Sequence, residues 1–225
     1  MWDMERGYAA LNHLEPDAAF YLERFLRRFK GRFYVKDVLQ KLSWDAYLRG
    51  DQARADSFRL LVFRRGGAES DADRQALKEA RAGKWPNKVL LKARLLSDGG
   101  YFAEALQVLD GAGSSSGAVV SSGVVRWKDP AEGCEYAYRM GRIYDGLGRD
   151  SAAIGAYEKT IAIGEQLQAY YAARAALQAG YIYERRGDKG RAVIYFERCL
   201  GMKEHDYKNS LDQRAKAGIA RCKGE

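Results

Sequence analysis

Apolar residues fall at helical spacing along most of this chain. Between Ala18 and Phe29 the positions Leu22, Phe25, Leu26 and Phe29 recur at i, i+3, i+4 and i+7, one face of a helix, and Gly31 follows as a stop. Tyr34 to Leu48 continues the helical pattern and ends in the turn Arg49-Gly50-Asp51. Ala55, Phe58, Leu61 and Val62 line a return helix that closes at Arg65-Gly66-Gly67. Ser70-Asp71-Ala72-Asp73 caps a short amphipathic helix through Ala80, and Trp85-Pro86-Asn87 opens the next with Pro86 at its first position. Residues 1–85 thus read as degenerate helical pairs.

Downstream the pairs become a repeat. Gly141, Tyr144, Gly148, Ala153 and Tyr157 recur as Gly180, Tyr183, Gly187, Ala192 and Phe196, at a constant offset of 39 residues. A further 38 residues lead to Gly218, and Ala93, Leu96, Gly100, Ala105 and Leu109 keep the same small, large, Gly, small, large order. Small residues let two antiparallel helices approach, and the rings fill the space to the next pair. Gly148 and Gly187 suit a left-handed C-cap, and Asp150 and Asp188 stand near the following helix start. The rhythm breaks once. Ala93 to Gly141 is a step of 48 residues, and the Gly/Ser-rich segment 111–128 within it reads as a long loop, either mobile or folded over the array through its valines and Trp127.

This order of small residue, Tyr, Gly, Ala and aromatic resembles the tetratricopeptide repeat (TPR), a helix-turn-helix unit of usually ~34 residues. Ala137 and Ala176 stand where that repeat often has Trp, and the units here are longer. Lys203 to Gly218, Leu90 to Tyr101 and Lys41-Leu42-Ser43-Trp44 also resemble the C-terminal part of long, uncharacterised bacterial TPR proteins, which implies that the chain is the end of something longer. The resemblance implies an all-α, right-handed superhelical solenoid of antiparallel helix pairs, about 11 or 12 helices in all. TPR-like units are expected at 86–110, 134–167 and 173–203, with a capping helix near 207–222.

Composition adds few constraints. The 225 residues are 47% hydrophobic and 30% charged, which is ordinary for a folded domain. The net charge of +8 is shared almost equally by the two halves, so no basic arm is set apart. No apolar run approaches the roughly 18 residues of a spanning helix, and the N-terminus lacks the apolar core of a signal peptide, so the default compartment is the cytoplasm unless an N-terminal part is missing. Cys134, Cys199 and Cys222 show no paired spacing and read as small apolar helix residues.

Candidate chemistry is sparse. His13 and His205 have no metal-ligand spacing around them, and neither a Gly-x-Ser-x-Gly elbow nor a phosphate-binding Gly-Lys-Ser/Thr loop occurs. An enzyme, a metal and a cofactor are therefore not expected, and no small-molecule substrate is evident. The run from Phe20 to Tyr34 interleaves rings with Arg24, Arg27, Arg28, Lys30 and Arg32, which is the combination a nucleic acid or an anionic membrane uses. Its apolar stripe reads first as a core helix. In TPR arrays the first helix of each pair lines a concave surface, and the resemblance places Asn87, Arg94, Tyr138, Arg142, Asp145, Arg174, Tyr181 and Glu184 there. The Lys and Asn of the TPR clamp for a C-terminal carboxylate are not reproduced. The expected activity is non-enzymatic binding of a protein, as a peptide or a partner helix, in that groove, with RNA or anionic membrane on the basic surface as the alternative.

Overall fold

The structure is a computed structural model that describes residues 1–111, 118–121, 124–165, 167, 170–202 and 205–224. Twelve helices in sequential antiparallel pairs make up the described residues, with one short two-stranded ladder. They form two compact units, Met1–Tyr101 and Phe102–Glu225.

The N-terminal unit holds α1 (Trp2–Asn12), α2 (Ala18–Arg28), α3 (Val35–Leu48), α4 (Gln52–Arg64), α5 (Asp71–Ala82) and α6 (Lys88–Asp98). α3 is its centre: it packs against α1, α2, α4 and α5, and 11 of its 14 residues are buried. Leu22, Phe25, Val38, Leu39, Leu42 and Val62 form one apolar cluster, and Leu11, Trp44, Leu91 and Leu95 a second. The stripe expected on α2 is core, with Leu22 at 0% and Phe25 at 2% exposure. A helix enclosed on all sides must also bury its polar side chains, and each of these has a partner. Tyr8 donates to Asp37 at 2.5 Å, Gln40 to Glu79 at 2.6 Å, Ser43 to the Gln40 carbonyl at 2.7 Å and Arg49 to Asp45 at 2.9 Å. Lys36 donates from Nζ to the carbonyls of Val62 and, at 3.0 Å, Arg65. Burial moves the Lys36 ammonium below the usual lysine range.

One local expectation is corrected here. Pro86 is not the first residue of α6, because Asn87 is the N-cap: its Oδ1 accepts from the Val89 and Leu90 amides at 3.0 and 3.4 Å. An Asn oxygen satisfies two orphan amides, which a proline at the first position does not do. The Pro-at-N1 device occurs instead at Pro130, behind an Asp129 cap.

The C-terminal unit holds α7 (Phe102–Asp110), α8 (Pro130–Gly146), α9 (Asp150–Gly164), α10 (Tyr171–Arg185), α11 (Lys189–Gly201) and α12 (Lys208–Lys223). α12 occupies the segment expected to cap the array. Between α7 and α8, within the segment expected as a loop, β1 (Ala118–Ser121) and β2 (Val124–Trp127) pair antiparallel, Ala118 opposite Trp127 and Ser121 opposite Val124. Two Val-Val pairs separated by a few small residues have strand propensity that a loop does not exploit. Half-buried Trp127 packs beside Tyr136 of α8, ring centroids 5.4 Å apart. Residues 112–117 and 122–123 of the expected loop lie outside the described residues.

The repeat positions do the packing expected of them. Gly148 and Gly187 have φ of 69° and 77°, and the same pair of carbonyl bonds closes each helix, Gly148 to Asp145 and Arg149 to Tyr144, then Gly187 to Glu184 and Asp188 to Tyr183. Asp188 caps α11 through the Arg191 amide, whereas Asp150 lies inside the first turn of α9. Gly141 meets the Tyr157 ring, and Phe196 is wedged between Gly180 and Gly218: a Cβ on any of the three would come within 2.4–2.5 Å of an aromatic carbon. Gly155 in α9 contrasts with them, since a Cβ there meets nothing within 4 Å. Gly155→Ala is therefore expected to raise the unfolding free energy by about 0.5–1 kcal/mol, the ordinary helix preference of alanine over glycine, read as a higher urea midpoint.

Candidate functional site

The first helices of the C-terminal pairs are α8 and α10, with α12 packed on α10 in the same relation. Their mutual alignment is held by a bridge that occurs twice. Asp145 near the end of α8 accepts from Arg185 of α10 at 3.0 Å, and Glu184 of α10 accepts from Arg221 of α12 at 2.7 and 2.9 Å. Arg185 also reaches Asp150 at 2.8 Å. The bond from Arg221 holds the Glu184 carboxyl below the usual range, and the bonds to Asp145 and Asp150 raise the Arg185 guanidinium. Such half-exposed pairs contribute only ~0–1 kcal/mol each, so they fix register more than they stabilise.

These bridges redefine the expected groove. Asp145 and Glu184 are engaged between neighbouring helices. Arg142, Arg174 and Tyr181 are half-buried on the same two helices, Tyr181 edge-on to Phe196 at 5.4 Å with the Arg221 guanidinium 6.0 Å above it. Tyr138, expected to line the groove, is instead buried: it is 1% exposed, enclosed by Tyr157, Tyr170 and Tyr171 at ring distances of 6.3, 6.4 and 5.3 Å. Asn87 and Arg94 belong to the N-terminal unit. Asn87 serves as a helix cap, and Arg94 stacks 4.7 Å over Trp44 with Glu79 and Asp98 at 3.9 and 3.8 Å. Four residues that shape this face escaped the repeat count, Arg185, Arg221, Tyr170 and Tyr171. The two tyrosines had a signal, an aromatic pair at a helix start one repeat from no equivalent.

Other chemistry is placed as structure. All three cysteines are buried and unpaired, and burial pushes the Cys134 and Cys199 thiols up to about 12. His13 stacks on Tyr101 at 4.0 Å and pairs with Glu15 at 2.9 Å. Among the described residues no three His, Cys, Asp or Glu side chains converge as a metal site, and no helix is long and apolar enough to cross a membrane. In the basic run, Arg24 is bound to Asp3 at 2.5 and 2.9 Å and Arg27 lies 3.7 Å from Glu23, while the Arg28 and Arg32 side chains are about three-quarters exposed.

Successive antiparallel pairs, each closed by a glycine of the first helix against a ring of the second, are the architecture of helix-pair repeats. A tetratricopeptide repeat model matches residues 173–206, which take in α11 and nearly all of α10. Comparison with curated proteins gives no match. Among solved structures, MamA from residue 41 to its end, from Desulfovibrio magneticus RS-1, is similar at 18% identity and a TM-score of 0.41, covering 90% of this chain and 93% of that one. A double mutant titled MamA RS-1 ArsTM is similar at 17% identity and a TM-score of 0.40, with the same coverage.

Proposed function

We propose that the chain is a non-enzymatic protein-interaction scaffold whose C-terminal unit binds an extended peptide or a partner helix along the face of α8, α10 and α12. The carrying observation is the repeated acid–arginine bridge. It holds three helices side by side, and Arg142, Arg174 and Tyr181 are half-buried on two of them. Rings and arginines on a pre-aligned surface are the residue types that dominate binding energy in protein interfaces, and a surface that needs no reordering loses less entropy on association. A TPR also carries protein partners more often than chemistry.

Panning a random-peptide library on the intact chain tests this. Selected peptides should lose about thirtyfold or more in affinity to Arg142→Glu and to Tyr181→Ala, the magnitude of a true hot spot. Peptides that bind both variants like the parent would move the site off this face. If no peptide is selected and the chain instead binds RNA or anionic vesicles with an affinity that falls steeply as salt is added, the basic-surface alternative replaces the groove.

A further inference from the structure

Three parts of the N-terminal unit come together at one end. The start of α1 and the end of α2 face each other across an open cleft lined by Met1, Trp2, Asp3, Phe25, Arg28 and Phe29. The Phe29 ring also reaches the loop between α2 and α3, where a Cβ on Gly31 would fall 2.4 Å from its Cζ. The cleft therefore runs on into the loop that carries Lys30, Arg32 and Phe33. Apolar groups stand out of this end: Trp2 is 84% exposed, Met1 63% and Phe33 52%. Packing explains Phe25, which is core, but not these three. Cations stand among them, with the Arg28 and Arg32 side chains about three-quarters exposed and Lys30 exposed as well. The acids beside them balance little of that charge. Asp3 is already held by Arg24 at 2.5 and 2.9 Å, which leaves Arg28 3.9 Å away, and Glu69 is 4.0 Å from Arg32. Large apolar side chains gathered on a surface and rimmed by charge mark an interaction site.

We propose that this end of the N-terminal unit docks on an anionic lipid surface, with Trp2 and Phe33 entering the headgroup layer and Arg28, Lys30 and Arg32 facing the lipid charges. The groove lies on the other unit, so neither reading depends on the other. An indole settles at headgroup depth because its body is apolar and its N–H is polar. Each Lys or Arg near an anionic leaflet strengthens binding about fivefold, so three supply about a hundredfold. A single-stranded nucleic acid calls on the same two residue types, but it stacks successive bases on a platform of rings. Here the exposed rings stand at a helix start and in a loop, beside a methionine that offers no stacking face. Residues 20–34 also contain no Ser, Thr, Asn or Gln to bond a base edge. These observations favour lipid over nucleic acid.

The test titrates the intact chain with phosphatidylcholine vesicles holding about a third phosphatidylserine, their acyl chains brominated so that a tryptophan touching them is quenched. Binding is read separately by co-sedimentation. The parent should bind and be quenched, and phosphatidylcholine alone should bind about thirtyfold or more weakly. Trp2→Phe should still sediment with the vesicles but lose most of the quenching, because Trp44 is buried and Trp85 and Trp127 are half-buried. Arg28→Glu/Arg32→Glu should bind about thirtyfold or more weakly at an unchanged melting temperature. Arg186→Glu/Arg214→Glu, which removes the same charge from exposed positions of the other unit, should keep most of the affinity. Equal losses in the two double variants would mean that net charge alone attracts the lipid, and the proposal falls. It falls too if Trp2→Phe is quenched like the parent, or if the vesicles do not bind. Should poly(U) bind in their place and depend on Arg28 and Arg32, this end is a nucleic-acid surface and the lipid assignment is wrong.

Discussion

Gly180→Leu is expected to lower the unfolding free energy of the C-terminal unit by about 3 kcal/mol, at the upper end of the usual overpacking cost. Even the first added atom, a Cβ, would come within 2.5 Å of Phe196 Cε1. A rigid ring can relieve that only by retreating, and the opposite edge of Phe196 already rests on Gly218 by the same measure. One glycine-sized gap on each side means that the ring, α10 and α12 must all shift together. Against this stands the helix preference of leucine over glycine, worth roughly 0.5–1 kcal/mol, so overpacking wins. Gly180→Ala should fall between parent and leucine. The two units need not unfold as one, so the readout is hydrogen exchange in α10 and α11 beside the urea midpoint. An unchanged exchange rate there, with an unchanged midpoint, would contradict the role assigned to the repeat glycines.

That contact was legible in the sequence because it is local in period. Gly141 and Gly180 sit one repeat apart, each followed sixteen residues later by a ring, and Gly148 and Gly187 announce the left-handed turns between. A fixed count from the small residue likewise selects one side of each first helix, the side proposed here as a groove. What covers that side was not legible. Tyr138 has the right phase to line the groove, but Tyr170 and Tyr171 of the next helix close over it, and phase says nothing of a neighbour's height. Nor could spacing show that Arg185 and Arg221 reach back to Asp145 and Glu184, because many acids lie at comparable separations. The strand pair at 118–121 and 124–127 was hidden by the Gly/Ser content around it, which spoke for a loop more loudly than the paired valines spoke for strands.

Asp73 is the strongest case of structure beyond the sequence pattern, and Asp73→Ala is expected to be the most damaging single change in the N-terminal unit. Read along the chain, Ser70 to Asp73 caps its own helix, and Ser70 Oγ does accept from the Asp73 amide at 3.1 Å. The carboxylate, however, serves another helix. Its Oδ1 accepts from the Lys36 and Asp37 amides at 2.9 and 3.2 Å, and its Oδ2 accepts from the Tyr34 amide at 2.7 Å and the Ser70 hydroxyl at 2.5 Å. α3 has no side-chain cap of its own, and its Tyr34 N-cap holds a left-handed φ of 62°, a strained conformation for an aromatic residue. Asp73, at 0% exposure, therefore supplies from α5 the acceptors that the first turn of the central helix lacks, with its charge at the positive end of the helix dipole. Alanine would strand three amides, at about 1–3 kcal/mol for each that stays buried, and would leave the buried Lys36 ammonium with Glu69 alone of the two anions that act on it. A loss of about 3–5 kcal/mol follows, a large share of the 5–15 kcal/mol that holds a typical domain together. Ser70→Ala, which removes one hydroxyl and leaves the carboxylate in place, should cost only about 1 kcal/mol. Trp44, 3% exposed on α3, reports the outcome: its fluorescence should shift to the red at much lower urea in Asp73→Ala than in Ser70→Ala. Equal midpoints for the two variants would mean that the long-range cap contributes no more than the local one.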